Sequence, residues 1–210
     1  MGRAHGVIGV DEAGRGPLAG PLCVGACLVR ARLRRRALLA LQGVRDCKQL
    51  TPEKRREWFS RIAREAKQGT LSVTSSFVAP SVIDRSGMAY ALRLAIRRCL
   101  NRLLAAPGAA LIQLDGGLRA PARYPFQETI VGGDEREPLI AAASIVAKVR
   151  RDRYMIRLAK KYPAYGFEIH KGYGTKRHYE ALRRHGISEA HRRSFLKKFV
   201  ARESISLSDS

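Results

Sequence analysis

Apolar runs of strand length, closed by glycine, proline or polar turn residues, recur over 6–10, 20–29, 70–78, 109–115 and 126–131. Such compact segments, rich in Val and Ile, predict buried strands. Between and after them the pattern lengthens to a helical period. Thr51-Pro52-Glu53 offers an N-cap followed by proline at the first helical position, and Trp58, Ile62 and Ala66 follow at i, i+4 spacing. A second helix is predicted over 87–105, with Leu92, Ile96 and Leu100 on one stripe. The longest opens at Pro138 and stops before Pro163, with Asp134, Glu135 and Glu137 at its start and Lys160 and Lys161 at its end, as the helix dipole favours. Leu139 to Ala147 is almost wholly apolar and predicts burial against the sheet, whereas Lys148, Arg150, Arg151, Asp152 and Arg153 predict a second half turned to solvent or to a ligand. Further helices are expected from Thr175 toward Gly186 and around Phe195, Leu196 and Phe199.

Strands first, crossover helices between them and a helical last third describe an α/β chain: a mixed β-sheet flanked by helices, with a helical C-terminal extension. The organisation expected is a core over 1–160, the extension over 161–200 as part of the same domain, and a disordered tail over 201–210.

Composition adds a partner. Lys and Arg total 40 against 18 Asp and Glu, a formal net charge of +22 over 210 residues, which a folded chain tolerates best beside a polyanion. Charge alone does not separate an enzyme from a ribosomal or chromatin protein, so a claim of catalysis has to rest on the acids. The run Arg32-Leu33-Arg34-Arg35-Arg36 reads as a solvated face with non-specific phosphate attraction. No apolar run reaches bilayer-spanning length, and Met1-Gly2-Arg3-Ala4-His5 leads straight into a strand, so a cytoplasmic, membrane-independent protein is the expectation, with a monomer as the simplest oligomeric state. Cys23, Cys27, Cys47 and Cys99 lack C-x-x-C spacing, and Cys23 and Cys27, which share strand parity, read as buried small side chains.

The acids sit in a pattern. The first strand ends Val7-Ile8-Gly9-Val10-Asp11-Glu12, the fourth ends Leu111-Ile112-Gln113-Leu114-Asp115-Gly116, and the fifth is followed by Gly132-Gly133-Asp134. Any one of these acids could merely cap a helix or start a turn. Three strand ends together, plus Glu12, gather carboxylates that would repel one another without a cation, and hard oxygen donors select Mg²⁺ or Mn²⁺. Adjacent strand residues face opposite ways, so Asp11 and Glu12 share a cluster only if the strand turns there or one ligand is a backbone carbonyl. Gly14-Arg15-Gly16 fails the dinucleotide-loop spacing, because the next glycine is one residue late and Pro21 leads into another strand. As a turn it would let a sugar-phosphate chain approach closely, with Arg15 available to a phosphate. In His170-Lys171-Gly172-Tyr173-Gly174-Thr175, Tyr173 could stack on a base or sugar and Lys171 meet a phosphate, or the tyrosine could simply be buried. His170, His178 and His191 each read as structural hydrogen-bonders.

Taken together, Asp11-Glu12-Ala13-Gly14-Arg15-Gly16-Pro17, Asp46-Cys47-Lys48-Gln49-Leu50, Asp115-Gly116, Gly133-Asp134, Ala142 to Lys148 with Arg151-Asp152, and His170 to Thr175 resemble ribonuclease HII, in that family's order over roughly residues 6–199. The resemblance implies a ribonuclease-H-like fold and an endonuclease that acts on RNA/DNA hybrids and on duplex DNA containing ribonucleotides. It implies cleavage on the 5′ side of a ribonucleotide, leaving 3′-hydroxyl and 5′-phosphate ends. Asp11, Glu12, Asp115 and Asp134 would bind Mg²⁺ or Mn²⁺. Gly14 to Gly16 would sense the ribose 2′-hydroxyl with Tyr173, Lys48 would lie near substrate phosphates, and Ser144 and Lys148 would contact the DNA strand. Cys47 stands where the family usually has serine, Gly117 where asparagine is common, and Gly186-Ile187-Ser188 where Gly-Pro is usual. Two competitors are a ribonuclease HIII-like enzyme, which typically has lysine in place of Arg15 and an additional N-terminal domain, and a non-catalytic basic hybrid-binding protein.

Overall fold

The computed structural model describes residues 5–44, 50–103 and 106–201. Strand β1 (Gly6–Ala13) lies at the centre of a five-stranded sheet, pairing antiparallel with β2 (Leu22–Arg30) and parallel with β4 (Leu111–Asp115). With β3 (Ser72–Val78) and β5 (Gln127–Ile130) at the edges, the order is β3-β2-β1-β4-β5, a mixed sheet. A strand covered on both faces must be apolar throughout, which is why β1 and β2 read as unbroken hydrophobic runs.

One face of the sheet, including Ile8, Val10, Val24, Ile112 and Leu114, packs on α3 (Pro80–Arg102) through Leu92, Ala95, Ile96 and Cys99. The other face packs on α5 (Pro138–Lys161), with Ala37 of α1 (Arg34–Ala40) and Ile62 of α2 (Pro52–Lys67) closing its flank. Helix α5 lies against the sheet because two strand positions carry no side chain. A Cβ on Gly9 would stand 2.2 Å from the Leu139 carbonyl carbon, and one on Gly25 2.2 Å from the Ala143 carbonyl oxygen. A third core joins Leu18 and Ala19 to Met155 and Ala159 of α5 and to the C-terminal elements through Phe167, Leu182, Ala190 and Leu196. Phe167 belongs to α6 (Phe167–His170) and Leu182 to α7 (Lys176–His185), whereas Ala190 and Leu196 lie in the segment between α7 and helical residues 197–201.

Several sequence expectations are corrected. β1 does not stop at residue 10, because its ladder with β2 continues through Asp11↔Gly25, Glu12↔Val24 and Ala13↔Cys23. α3 begins at Pro80 rather than 87, with a break at Gly87 (φ 80°, ψ 164°) that interrupts the apolar stripe. Asp134 and Glu135 belong to a separate turn, α4 (Gly133–Arg136), and not to the start of α5. α1 was not anticipated; only Ala37 on it is buried, so it lacks an apolar stripe to signal it. Arg151 points neither to solvent nor outward to a ligand: it is fully buried. Among the described residues no helix is long and apolar enough to cross a membrane. The 202–210 part of the expected tail and the segment Asp46 to Gln49, with Lys48, lie outside the described residues.

Candidate active site

The parallel pairing of β1 with β4 runs Val10↔Leu114, so Asp11 and Asp115 follow at the same ends of neighbouring strands. β5 pairs Ile130 with Asp115, and two residues beyond Val131 the α4 turn brings Gly133 back, its N–H donating to Asp115 Oδ1 at 2.8 Å. Asp134, next in the chain, is 1% exposed. Topology alone therefore carries three of the four predicted acids to one end of the central strands, where ligands collect in open α/β sheets.

Asp11 lies on the α5 side of the sheet, in step with Gly9, and is 3% exposed. The close approach of α5 allowed by Gly9 and Gly25 sets Ser144 beside it, and the Ser144 hydroxyl and the Glu12 N–H (2.7 Å) both hydrogen-bond its carboxylate. Burial, then the charges of Glu12 and Asp115, nevertheless hold the Asp11 carboxyl well above the usual range. Glu12 is raised too, by burial first; Arg15, whose Nη1 is 3.6 Å from Oε1, pulls it back and Asp115 pushes it up. Carboxyls that are buried and in one another's field are what a cation would relieve.

The donor set fits a divalent ion that shares its coordination shell. Among the described residues no three His, Cys, Asp or Glu side chains are gathered tightly enough to hold an ion alone. Mg²⁺ does not need that, since it keeps several waters and binds through one or two carboxylates plus substrate phosphates.

Beside the acids, the turn after β1 is held open by two buried arginines that the sequence did not flag as functional. Gly14 has φ 91°, and a Cβ there would stand 2.0 Å from Arg151 Nε, so only glycine fits. Arg151 donates to the carbonyls of Pro21 (3.0 Å) and Ala19 (3.2 Å). Arg192 donates to those of Gly14 (2.7 Å), Arg15 (3.0 Å) and Gly20 (3.0 Å). Gly16 has open space where a side chain would be, and Arg15 is exposed. A periodicity signal for Arg151 did exist: Ala147, Arg151, Met155 and Ala159 form one buried stripe of α5. Arg192 had none.

Across this turn, Gly172 (φ 86°) packs so closely that a Cβ would meet the Ala19 carbonyl oxygen at 2.4 Å. Tyr173 is 44% exposed, which removes the buried-tyrosine alternative, and the Arg151 guanidinium lies 5.9 Å from its ring. Lys171 takes a left-handed conformation and donates to the Glu168 carbonyl. Of the two residues assigned to the DNA strand, Ser144 is buried beneath Asp11, and Lys148, half-buried, is paired with Asp152 at 2.9 Å.

A mixed five-stranded sheet bearing acids at the ends of its central strands, in a strongly basic chain, defines a nuclease of the ribonuclease-H-like class. The solved ribonuclease H2 of Pyrococcus horikoshii OT3 superposes with a TM-score of 0.70 at 28% identity, over 94% of this chain and 98% of that one. The family model for ribonuclease HII matches residues 8–198, and the chain belongs to that family. It is 42% identical to ribonuclease HII of Caldicellulosiruptor bescii over 93% of this chain and 88% of the relative. It is 41% identical to that of Coxiella burnetii strain RSA 493, over 94% of each. The chain is thus a ribonuclease H, an enzyme acting on RNA/DNA duplexes, of a metal-dependent family.

Proposed function

We propose that the enzyme cuts the RNA strand of RNA/DNA hybrids and cuts duplex DNA on the 5′ side of single embedded ribonucleotides, as a cytoplasmic monomer using Mg²⁺ or Mn²⁺. The observation that carries the reading is the juxtaposition of Asp11 and Asp115 at neighbouring strand ends, and Asp134 in the α4 turn, with a glycine turn that has room for a ligand at Gly16. Asp11, Asp115 and Asp134 would hold the metal, and Glu12, whose side chain faces the other way on a strand that continues through Ala13, would contribute partly through its backbone. Bound divalent ions would supply an activated water and stabilise the leaving oxygen, as in two-metal phosphoryl transfer.

The remaining work falls to the chain's own groups. Ser144 and the Glu12 N–H orient the Asp11 carboxylate. The Gly14–Gly16 backbone and Tyr173 read the ribose: the 2′-hydroxyl is the group that distinguishes RNA from DNA, and an exposed aromatic ring beside it stacks on the neighbouring sugar. Arg15, Lys48 and Lys148 meet phosphates, where the net charge of +22 also attracts the duplex. Ser144, at 5% exposure, supports the metal ligand and leaves the DNA strand to Lys148.

Three duplexes test this: all DNA, DNA with one ribonucleotide, and a long hybrid, each titrated with metal and with product ends mapped. Cutting of the second at the 5′ side of the ribonucleotide, with the first untouched, is expected. Cutting of the long hybrid alone would leave a ribonuclease HIII-like enzyme.

A further inference from the structure

The sensor turn and Tyr173 are far apart in sequence, yet both are tied to one dipeptide of the C-terminal segment. Arg192 engages three carbonyls of residues 14 to 20, as described. Its neighbour His191 begins a hydrogen-bond chain that runs the other way. The Ser188 N–H donates to His191 Nδ1 at 3.1 Å, which makes that nitrogen the acceptor and leaves the proton on Nε2. His191 Nε2 lies 3.0 Å from His178 Nε2, so it donates there, and His178 Nδ1 donates to the Tyr173 carbonyl at 2.9 Å. One backbone amide thus fixes the tautomer of two buried rings and the direction of the chain.

The surroundings hold this arrangement in place. His178 is fully buried and His191 is 2% exposed. Burial, and for His191 the proximity of His178, lowers both to about 4, so neither ring is charged at neutral pH. His170 stacks on His178 at 4.4 Å and accepts from the Gly172 N–H, adding a second hold on the Tyr173 loop. The dipeptide is anchored in turn by Asp84 of α3, whose carboxylate accepts from the Arg193 N–H, the Ser194 N–H and the Ser194 hydroxyl. The bridge between Ala19 and His191 closes the ring of contacts.

We infer that His191 and Arg192 are specificity-determining positioning residues, which set the spacing between the Gly14–Gly16 turn and Tyr173 and thereby let the enzyme recognise a lone ribonucleotide. The inference rests on the proposed reading of that turn and tyrosine as the ribose sensor. A single ribonucleotide offers one 2′-hydroxyl at one register, so its recognition fails if the two halves of the sensor drift apart. A long hybrid offers a 2′-hydroxyl at every register and tolerates the drift. None of these contacts reaches Asp11, Asp115 or Asp134.

Two substitutions separate the halves. Arg192→Lys keeps the charge but loses the planar fork that serves three carbonyls; His191→Asn keeps a polar side chain but breaks the chain to Tyr173. Steady-state cleavage of the single-ribonucleotide duplex and of a long hybrid is compared under saturating metal, with thermal midpoints recorded. Each variant is expected to lose about tenfold or more in kcat/KM on the single ribonucleotide. On the long hybrid the loss should stay within about threefold, a difference that loss of folded enzyme alone does not produce. In a Tyr173→Ala background, His191→Asn should add little, because its effect runs through Tyr173. Equal losses on both substrates, or full additivity with Tyr173→Ala, would overturn the inference. Should either variant fail to fold, Asp84→Asn, which weakens the carboxylate anchor of Arg193 and Ser194 beside the dipeptide, must show the same substrate bias, and its absence counts against the inference. If the wild type does not cut the single-ribonucleotide duplex, the sensor reading itself falls.

Discussion

Gly25→Ala should damage both stability and catalysis without touching any group that contacts substrate. The added methyl would stand 2.2 Å from the Ala143 carbonyl oxygen and 3.0 Å from the Ala147 nitrogen, both backbone atoms of α5 that no side-chain rotation can move. Restoring a contact of about 3.5 Å requires α5 to retreat by roughly 1 Å. Overpacking of this kind costs about 1–3 kcal/mol, and a backbone obstruction belongs at the upper end. With a urea slope of about 2 kcal/mol/M, the midpoint should fall by roughly 1.5 M. Because Ser144 follows Ala143 and hydrogen-bonds Asp11, the same retreat displaces the carboxylate proposed to hold the metal, and a misplacement of about 1 Å can cost on the order of a hundredfold in rate. Urea unfolding and hybrid cleavage measure the two effects. Gly117→Ala, at a position with open space and no positive φ, is the control and should match wild type. A Gly25→Ala protein with an unchanged midpoint and rate would refute the claim that helix approach at this glycine builds the site.

Other outcomes follow from the same contacts. Gly14→Ala meets a left-handed φ and Arg151 Nε at once, so single-ribonucleotide cleavage should fall at least tenfold while metal-dependent cutting of long hybrids falls less; equal loss would contradict this. Cys23, Cys27 and Cys99 are buried, with thiols pushed up to about 12, so a thiol reagent should leave them unmodified in the native protein, and rapid native labelling at any of the three would be the contrary result. His178 and His191 stay neutral in the folded state down to about 4, whereas unfolded histidine takes up a proton near 6.5. Their contribution is therefore complete above about pH 6.5 and declines as the pH falls toward 4, by on the order of 3 kcal/mol for each ring. Asp11 and Glu12, held high by burial, act in the opposite sense. The pH series of urea midpoints is best taken in Asp11→Asn, where a flat profile from 7 to 5 would contradict the account.

Much of the fold was legible because the signals are local. A strand covered on both faces must be apolar along its length, so β1, β2 and β4 announced themselves, and an aspartate at the end of such a run stands out. The apolar first half of α5 likewise could only be buried, and Leu139 to Ala147 is. What the sequence hid depends on partners distant along the chain. Arg151 lies among charged neighbours, a pattern that points to solvent or to a ligand, but carbonyls 130 and 132 positions away accept its hydrogen bonds. Arg192 serves carbonyls 172 to 178 positions away. Each histidine read alone was uninformative, and only the fold brings His178 and His191 into one chain. The end of β1 was placed three residues early because polarity begins at Asp11, whereas pairing with β2 continues to Ala13.

Whether the clustered acids serve as metal ligands beside a ribonucleotide sensor is decided by cleavage of a DNA duplex bearing one embedded ribonucleotide, with Mg²⁺, with Mn²⁺ and with chelator, by wild type and by Asp11→Asn. Metal-dependent cutting 5′ to the ribonucleotide, absent with chelator and lost in a folded Asp11→Asn protein, is the predicted result; binding of the duplex without cutting in either metal, or full activity of the variant, would contradict it.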